Sequence, residues 1–231
     1  MDVFVSGGTG VLGRPVLELL RGRGHRARYL SRTARSDAVG RELGAEPVHV
    51  DLFDGDGLRR AVAGCDAVLH LATRIPSLAQ MDQPQAWREN DRLRAEASAV
   101  LVDAALAADV KTYVQPTVTF VYPDGPVTEE TPVREAVPVI MRSALAAERQ
   151  AARFAAAGRH GVVLRLGLLD GPGAGQEHPN PGLGATLHAE DAGRALLAAL
   201  TVPSGIYNVC RDGERVSNRL FAETTGWRPR H

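Results

Sequence analysis

Lysine is almost missing from this chain. Lys111 is the only one among 27 basic residues, and none of the tyrosines, Tyr29, Tyr113, Tyr122 and Tyr207, has a lysine four positions on. Any chemistry that needs a Tyr-x-x-x-Lys pair is therefore excluded. Cysteine is scarce too. Cys65 and Cys210 form no metal or redox spacing and read as small buried apolar residues in a reducing compartment. His178 and His188 have no partner at ligand spacing, so no metal is expected. Net charge is zero and like charges do not cluster, which excludes nucleic acid and an anionic membrane surface as partners. No run of about 18 apolar residues occurs, and no signal peptide precedes the first apolar segment. The expectation is a soluble, cytoplasmic protein. Repeats and low-complexity tracts are absent, and 231 residues suit one α/β domain with a large core.

What is present begins at the N-terminus. The apolar run Asp2–Ser6 ends in Gly7-Gly8-Thr9-Gly10-Val11-Leu12-Gly13. Apolar residues at helical spacing follow, at Val16, Leu17, Leu19 and Leu20. Strand, tight turn and helix form the setting in which a glycine motif binds a dinucleotide. Gly7 permits a turn too sharp for a Cβ, Gly10 admits a pyrophosphate to the backbone, and Gly13 lets the helix pack on the strand it has just left. Phosphates then meet unpaired N–H groups at the positive end of a helix.

Further strands are expected at Arg26–Ser31, Glu46–Val50, Ala67–Ala72, Thr112–Gln115 continuing through Val118–Tyr122, and Gly161–Leu169. A short helix is expected at Leu58–Ala63 and a long amphipathic one from Trp87 to Ala108. The continuously apolar Ala67–Ala72 suits a parallel sheet covered on both faces. The fold class is α/β, a Rossmann-type doubly wound parallel sheet. No acid follows the second strand until Asp37, whereas Arg32 and Arg35 lie just beyond it. Arginine there favours a 2′-phosphate, hence NADP(H) over NAD(H). His70, within a buried strand, reads as a hydrogen-bonded core residue rather than an acid–base group.

The spacing Gly-x-x-Gly-x-x-Gly, written GGTGVLG, resembles the extended and atypical short-chain dehydrogenase/reductases, the superfamily of nucleotide-sugar epimerases and dehydratases. The resemblance continues through Val68–Ala72, Leu164–Gly173, Leu187–Ala192, Gly205–Val209 and Gly226–Pro229, nearly the whole chain. It implies a cofactor site of Gly7, Gly8, Thr9, Gly10, Val11, Leu12 and Gly13 with Arg32 and Arg35. Asp51 and Leu52 would lie at the adenine, and Leu71, Ala72 and Thr73 along the ribose. Asn90 falls where the family has an asparagine. Asp191 would complement the dipole of a helix it helps to start. A single domain spanning 1–231 is expected, with residues 170–187 and 210–231 forming a reduced C-terminal substrate-side lobe. Pairing through the long helices into a homodimer is the family habit.

The resemblance breaks at the catalytic centre. The family's tyrosine and lysine positions carry Ile140 and Ala144, and its upstream hydroxyl position carries Val118. The loop 173–186 is too short for a nucleotide-sugar lobe and serves equally as lid or connection. Three readings remain. One is an NADP-dependent reductase of a small hydrophobic substrate, with Thr117, Thr119, Tyr122 or Arg142 polarising an oxygen. Another is a non-redox isomerase, cyclase or lyase on the same fold. The last is a non-catalytic NADP-sensing module.

Overall fold

The computed structural model describes residues 1–213 and 215–231, except the side chains of Leu78, Val139 and Ile140. The tyrosine position assigned to Ile140 thus lies outside the described side chains. Among the described residues the strands are β1 (Asp2–Ser6), β2 (Arg26–Leu30), β3 (Glu46–Val48), β4 (Ala67–His70), β5 (Thr112–Val118), β6 (His160–Leu166), β7 (Leu168–Asp170), β8 (Thr186–His188) and β9 (Gly205–Val209). The helices are α1 (Gly13–Gly22), α2 (Ala34–Glu42), α3 (Gly55–Val62), α4 (Arg88–Arg92), α5 (Ser98–Ala107), α6 (Val139–Ala156), α7 (Ala189–Ala198) and α8 (Arg219–Thr225). A π-helical turn, Leu93–Ala97, joins α4 to α5.

Seven strands form one parallel sheet in the order β3-β2-β1-β4-β5-β6-β9. The chain steps outward from β1 to β3, then returns to lay β4 against the other side of β1. That reversal opens a crevice beyond the C-terminal ends of β1 and β4, where ligands of open α/β sheets bind. Side chains alternate across the sheet as a period of two requires. Val5, Leu69, Val114 and Val162 are register partners in one row and pack with α1, α7 and α8. Phe4, Val68, Tyr113 and Val163 face the other way, toward α3, α5 and α6. Each such buried aliphatic side chain stabilises the fold by about 1.5–3 kcal/mol.

The apolar run Gly161–Leu169 is not one strand. A Cβ on Gly167 would sit 2.9 Å from the Ala185 carbonyl oxygen, a closeness that lets the chain leave the main sheet there. It re-forms as β7 against β8 in a second, two-stranded sheet. A small cluster of Tyr122, Val127, Ala185, Cys210 and Val216 lies beside it. The sequence grouped all of 210–231 with that lobe, but Phe221 and Trp227 pack into the main core instead.

Asp191 also differs from its expected role. It does stand in the first turn of α7, yet its buried carboxylate accepts bonds from the backbone N–H of Arg230 (3.0 Å) and His231 (3.1 Å) and pairs with Arg194. Burial alone would raise this carboxyl. The two N–H bonds, His231 and Arg194 outweigh it and hold the pKa below the ordinary value. Asp191 fastens the C-terminal tail to the body.

Candidate functional site

Gly7 sits at φ +73° and its carbonyl accepts the Gly10 N–H at 3.0 Å. This closes the turn between β1 and α1. A Cβ on Gly13 would lie 2.2 Å from the Gly7 oxygen, so helix and turn touch backbone to backbone. α1 starts with no side-chain cap and no acid in its first turn. The start of α1 thus carries no built-in anion, and Gly10, Val11 and Leu12 just before it line the crevice. Gly8 packs on Tyr29 instead.

The crevice is a continuous cleft of about 1650 Å³, larger than the ~300–1,000 Å³ usual for one small ligand. Of the sequence-nominated cofactor residues, Gly7, Thr9, Gly10, Val11 and Leu12 line it, as do Arg32, Asp51, Leu52, Leu71, Ala72 and Thr73. Gly8, Gly13 and Arg35 do not. Arg35 lies within the first turn of α2, whose N-cap is Thr33, and is exposed outside the lining; Thr33 and Ser36 stand on the wall. Asp37, the first acid after β2, is turned to His49 at 3.2 Å and stays outside the lining.

The wall at Leu71–Thr73 is held by a buried chain of hydrogen bonds. The Ala72 N–H donates to Ser6 Oγ at 3.3 Å, and Ser6 Oγ meets His70 Nδ1 at 2.6 Å. His70 Nε2 meets the Leu93 carbonyl oxygen at 3.1 Å. A carbonyl only accepts, so Nε2 carries the proton and the serine hydroxyl donates to Nδ1. Burial pushes the His70 pKa down to about 4, against a weaker opposing pull from the Leu93 carbonyl. His70 is thus a neutral structural link between β1, β4 and the π turn. Its folded pKa lies below the unfolded 6.5, so its contribution is complete above pH 6.5 and declines as pH falls toward 4. Acid unfolding followed by circular dichroism is expected to show a loss of about 3 kcal/mol across that window. His70→Gln is expected to remove that slope; an unchanged slope would contradict the assignment.

The inner end of the cleft is floored by Pro116, Thr117, Val118, Phe120, Met141 and Leu166. Of the four catalytic nominees only Thr117 lines it. Its hydroxyl donates to Glu148 Oε1 at 2.9 Å, and Glu148 is paired bidentately with Arg165 at 2.9 and 2.7 Å, all buried. That proton is already committed. Thr119 is buried outside the lining, and Arg142 is exposed and outside it. Tyr122 is buried, donates to Asn208 Oδ1 at 2.9 Å and lies under the Arg165 guanidinium; burial raises its pKa. The four do not converge.

Most of the cleft's positive charge lies outside the residues nominated from the sequence. Arg74, Arg92 and Arg94 join Arg32 on the cleft wall, against Asp51 and Glu89. Arg94 falls on the buried stripe Asn90, Arg94, Ala97, Leu101 of the long helical segment. A charged residue on an inward stripe was the available signal. Asn90 Oδ1 accepts the Arg74 N–H at 3.1 Å and so ties the loop after β4 to that helix.

Comparison with known proteins decides the family. The model of the NAD dependent epimerase/dehydratase family matches residues 3–184. The chain belongs to that family. A Streptomyces protein named 3-diazoavenalumate denitrifying reductase is 33% identical over 244 residues, covering 92% of this chain and 76% of the relative. MoeE5, solved in complex with UDP-glucuronic acid and NAD, superposes with a TM-score of 0.75 at 26% identity, over 99% of this chain and 84% of that one. The UDP-Glc/GlcNAc 4-epimerase of Campylobacter jejuni gives 0.80 at 17% identity, over 100% and 94%, a likeness of fold. In this epimerase/dehydratase-family member Ala144 of α6, the residue that the sequence resemblance sets at the lysine position, is fully buried. Lys111 precedes β5, at the end of the sheet away from the cleft, paired with Asp109 at 2.5 Å. No helix of the described residues is long and apolar enough to cross a membrane.

Proposed function

We propose that this protein is a nicotinamide-dependent reductase, using NADP(H) in preference to NAD(H), of a small hydrophobic acceptor that needs no proton from a tyrosine–lysine pair. The observation that carries the reading is the cleft floor. It is apolar, and its one hydroxyl, Thr117, already donates to Glu148. Of the five large hydrophobic side chains exposed on the described surface, Phe53, Ile75 and Leu183 stand at this cleft, a concentration that marks an apolar binding site.

The dinucleotide fits the residues present. Side chains at Gly7 or Gly13 would clash with neighbouring backbone, the uncapped start of α1 suits a pyrophosphate, and Arg32 on the cleft wall supports a 2′-phosphate partner. Bound there, the reduced nicotinamide supplies a hydride equivalent.

The Streptomyces relative's name describes reductive loss of nitrogen from a diazo carboxylate, and that acceptor class suits this floor. An aryl diazonium cation takes up one hydride, a proton with two electrons. Its C–N bond breaks, N2 leaves and a C–H bond forms, while NADPH becomes NADP+. No protein-derived proton enters that balance, so Tyr and Lys are dispensable.

Calorimetric titration with the four nicotinamide dinucleotides tests the cofactor half. NADPH is expected to bind most tightly. Arg32→Ala should weaken it about tenfold, the worth of one charge-assisted bond, and leave NADH unchanged. Equal loss for both, or a preference for NADH, would overturn the assignment.

A further inference from the structure

Arg94 is 5% exposed, and its Nε and Nη1 are buried with no hydrogen-bond partner among the described residues. Arg165, 4% exposed, makes the contrast: Glu148 and the Tyr122 ring saturate it. Folding does not leave a buried guanidinium unpaired cheaply; an uncompensated interior charge costs several kcal/mol. Burial lowers the Arg94 pKa to about 10, with Asp91 pulling the other way, so the group is cationic at neutral pH. No ion pair within 4 Å joins Asp91 to Arg94 among the described residues. Arg94 sits in the π turn Leu93–Ala97, just after the carbonyl that His70 holds, so its backbone is fixed. Arg94 is among the residues that line the cleft.

We propose that Arg94 anchors the carboxylate of the substrate, so that the acceptor is a planar, apolar organic acid. The guanidinium fork matches a carboxylate with two parallel bonds. The other anions entering this cleft, the cofactor phosphates, already have the start of α1 and Arg32. A carboxylate seated on Arg94 directs the rest of the molecule over the apolar floor of Val118, Phe120 and Leu166. The assignment rests on the reductase reading for its substrate, but not for its test.

The test is calorimetric binding of cinnamate and of cinnamamide to the NADP+-loaded protein, comparing wild type with Arg94→Met and Arg94→Lys. Wild type is expected to bind cinnamate about 100-fold more tightly than the amide. Arg94→Met should abolish the difference, and Arg94→Lys should restore part of it. NADP+ affinity should stay constant, and the melting temperature of Arg94→Met should hold or rise, because a buried charge has been removed. Lack of preference in wild type overturns the proposal. So does a loss of NADP+ affinity in Arg94→Met with cinnamate unaffected, which would assign the group to a cofactor phosphate. A melting temperature that falls in both variants with cinnamate discrimination intact would make Arg94 a structural residue and also overturn it. Cinnamate held by Arg94 in a protein that never oxidises NADPH would sink the reductase reading and leave this one standing.

Discussion

Glu148→Ala is expected to destabilise the protein by about 3–5 kcal/mol, the largest loss from a single side chain outside the aliphatic core. The carboxylate accepts two bonds from Arg165 and one from Thr117, tying α6 to β5 and β6. Truncation leaves the guanidinium in the interior with only the Tyr122 ring, 4.7 Å away, and leaves Thr117 without its acceptor. For a chain of this size the melting temperature should drop by roughly 10 °C. The double variant Glu148→Leu with Arg165→Met should recover most of the loss, because a buried pair replaced by packed apolar groups is often close to neutral. A thermal scan in which Glu148→Ala lies within a degree of wild type would show that the network holds nothing together.

Gly13→Ala is expected to weaken dinucleotide binding by about 10- to 100-fold, the equivalent of a 1–3 kcal/mol overpacking strain. The new Cβ would stand 2.2 Å from the Gly7 oxygen and 2.5 Å from the Gly8 carbonyl carbon. Both are backbone atoms of the phosphate turn, so relief means opening the turn itself. Gly22→Ala, at the other end of α1, is the matched control. Nothing lies within 4 Å of its Cβ, so it should leave affinity unchanged and add up to about 1 kcal/mol of helix stability. Equal binding by the Gly13 variant would mean that the turn does not touch the cofactor.

The glycine turn was legible because its signal is carried by the backbone: Gly7 and Gly13 are defined by what a Cβ would meet. The parallel sheet was legible from apolar runs such as Ala67–His70. The break at Gly167 was not, since Leu-Arg-Leu-Gly-Leu-Leu reads as unbroken strand on both sides of it. The catalytic nominees failed to converge because the 3-10 turn at Thr119–Val121 rotates the chain just past β5. Of Thr117, Thr119 and Tyr122, only Thr117 remains at the cleft. Arg35 and Arg32 look equivalent in one dimension, yet α2 starts between them. Asp191 was recognised as a helix-start residue, while its partners, Arg230 and His231, lie too far along the chain for local reading to join. Arg94 was readable in principle, as a cation on an inward helical stripe.

The most direct test of the reductase reading is a stoichiometric assay with NADPH and an aryl diazonium bearing a carboxylate on its side chain. One NADPH should be consumed for each N2 released and each denitrified acid formed, at a rate well above that of the same mixture without protein. Denitrified product without loss of NADPH, or NADPH bound and never oxidised in the presence of the acceptor, would contradict it.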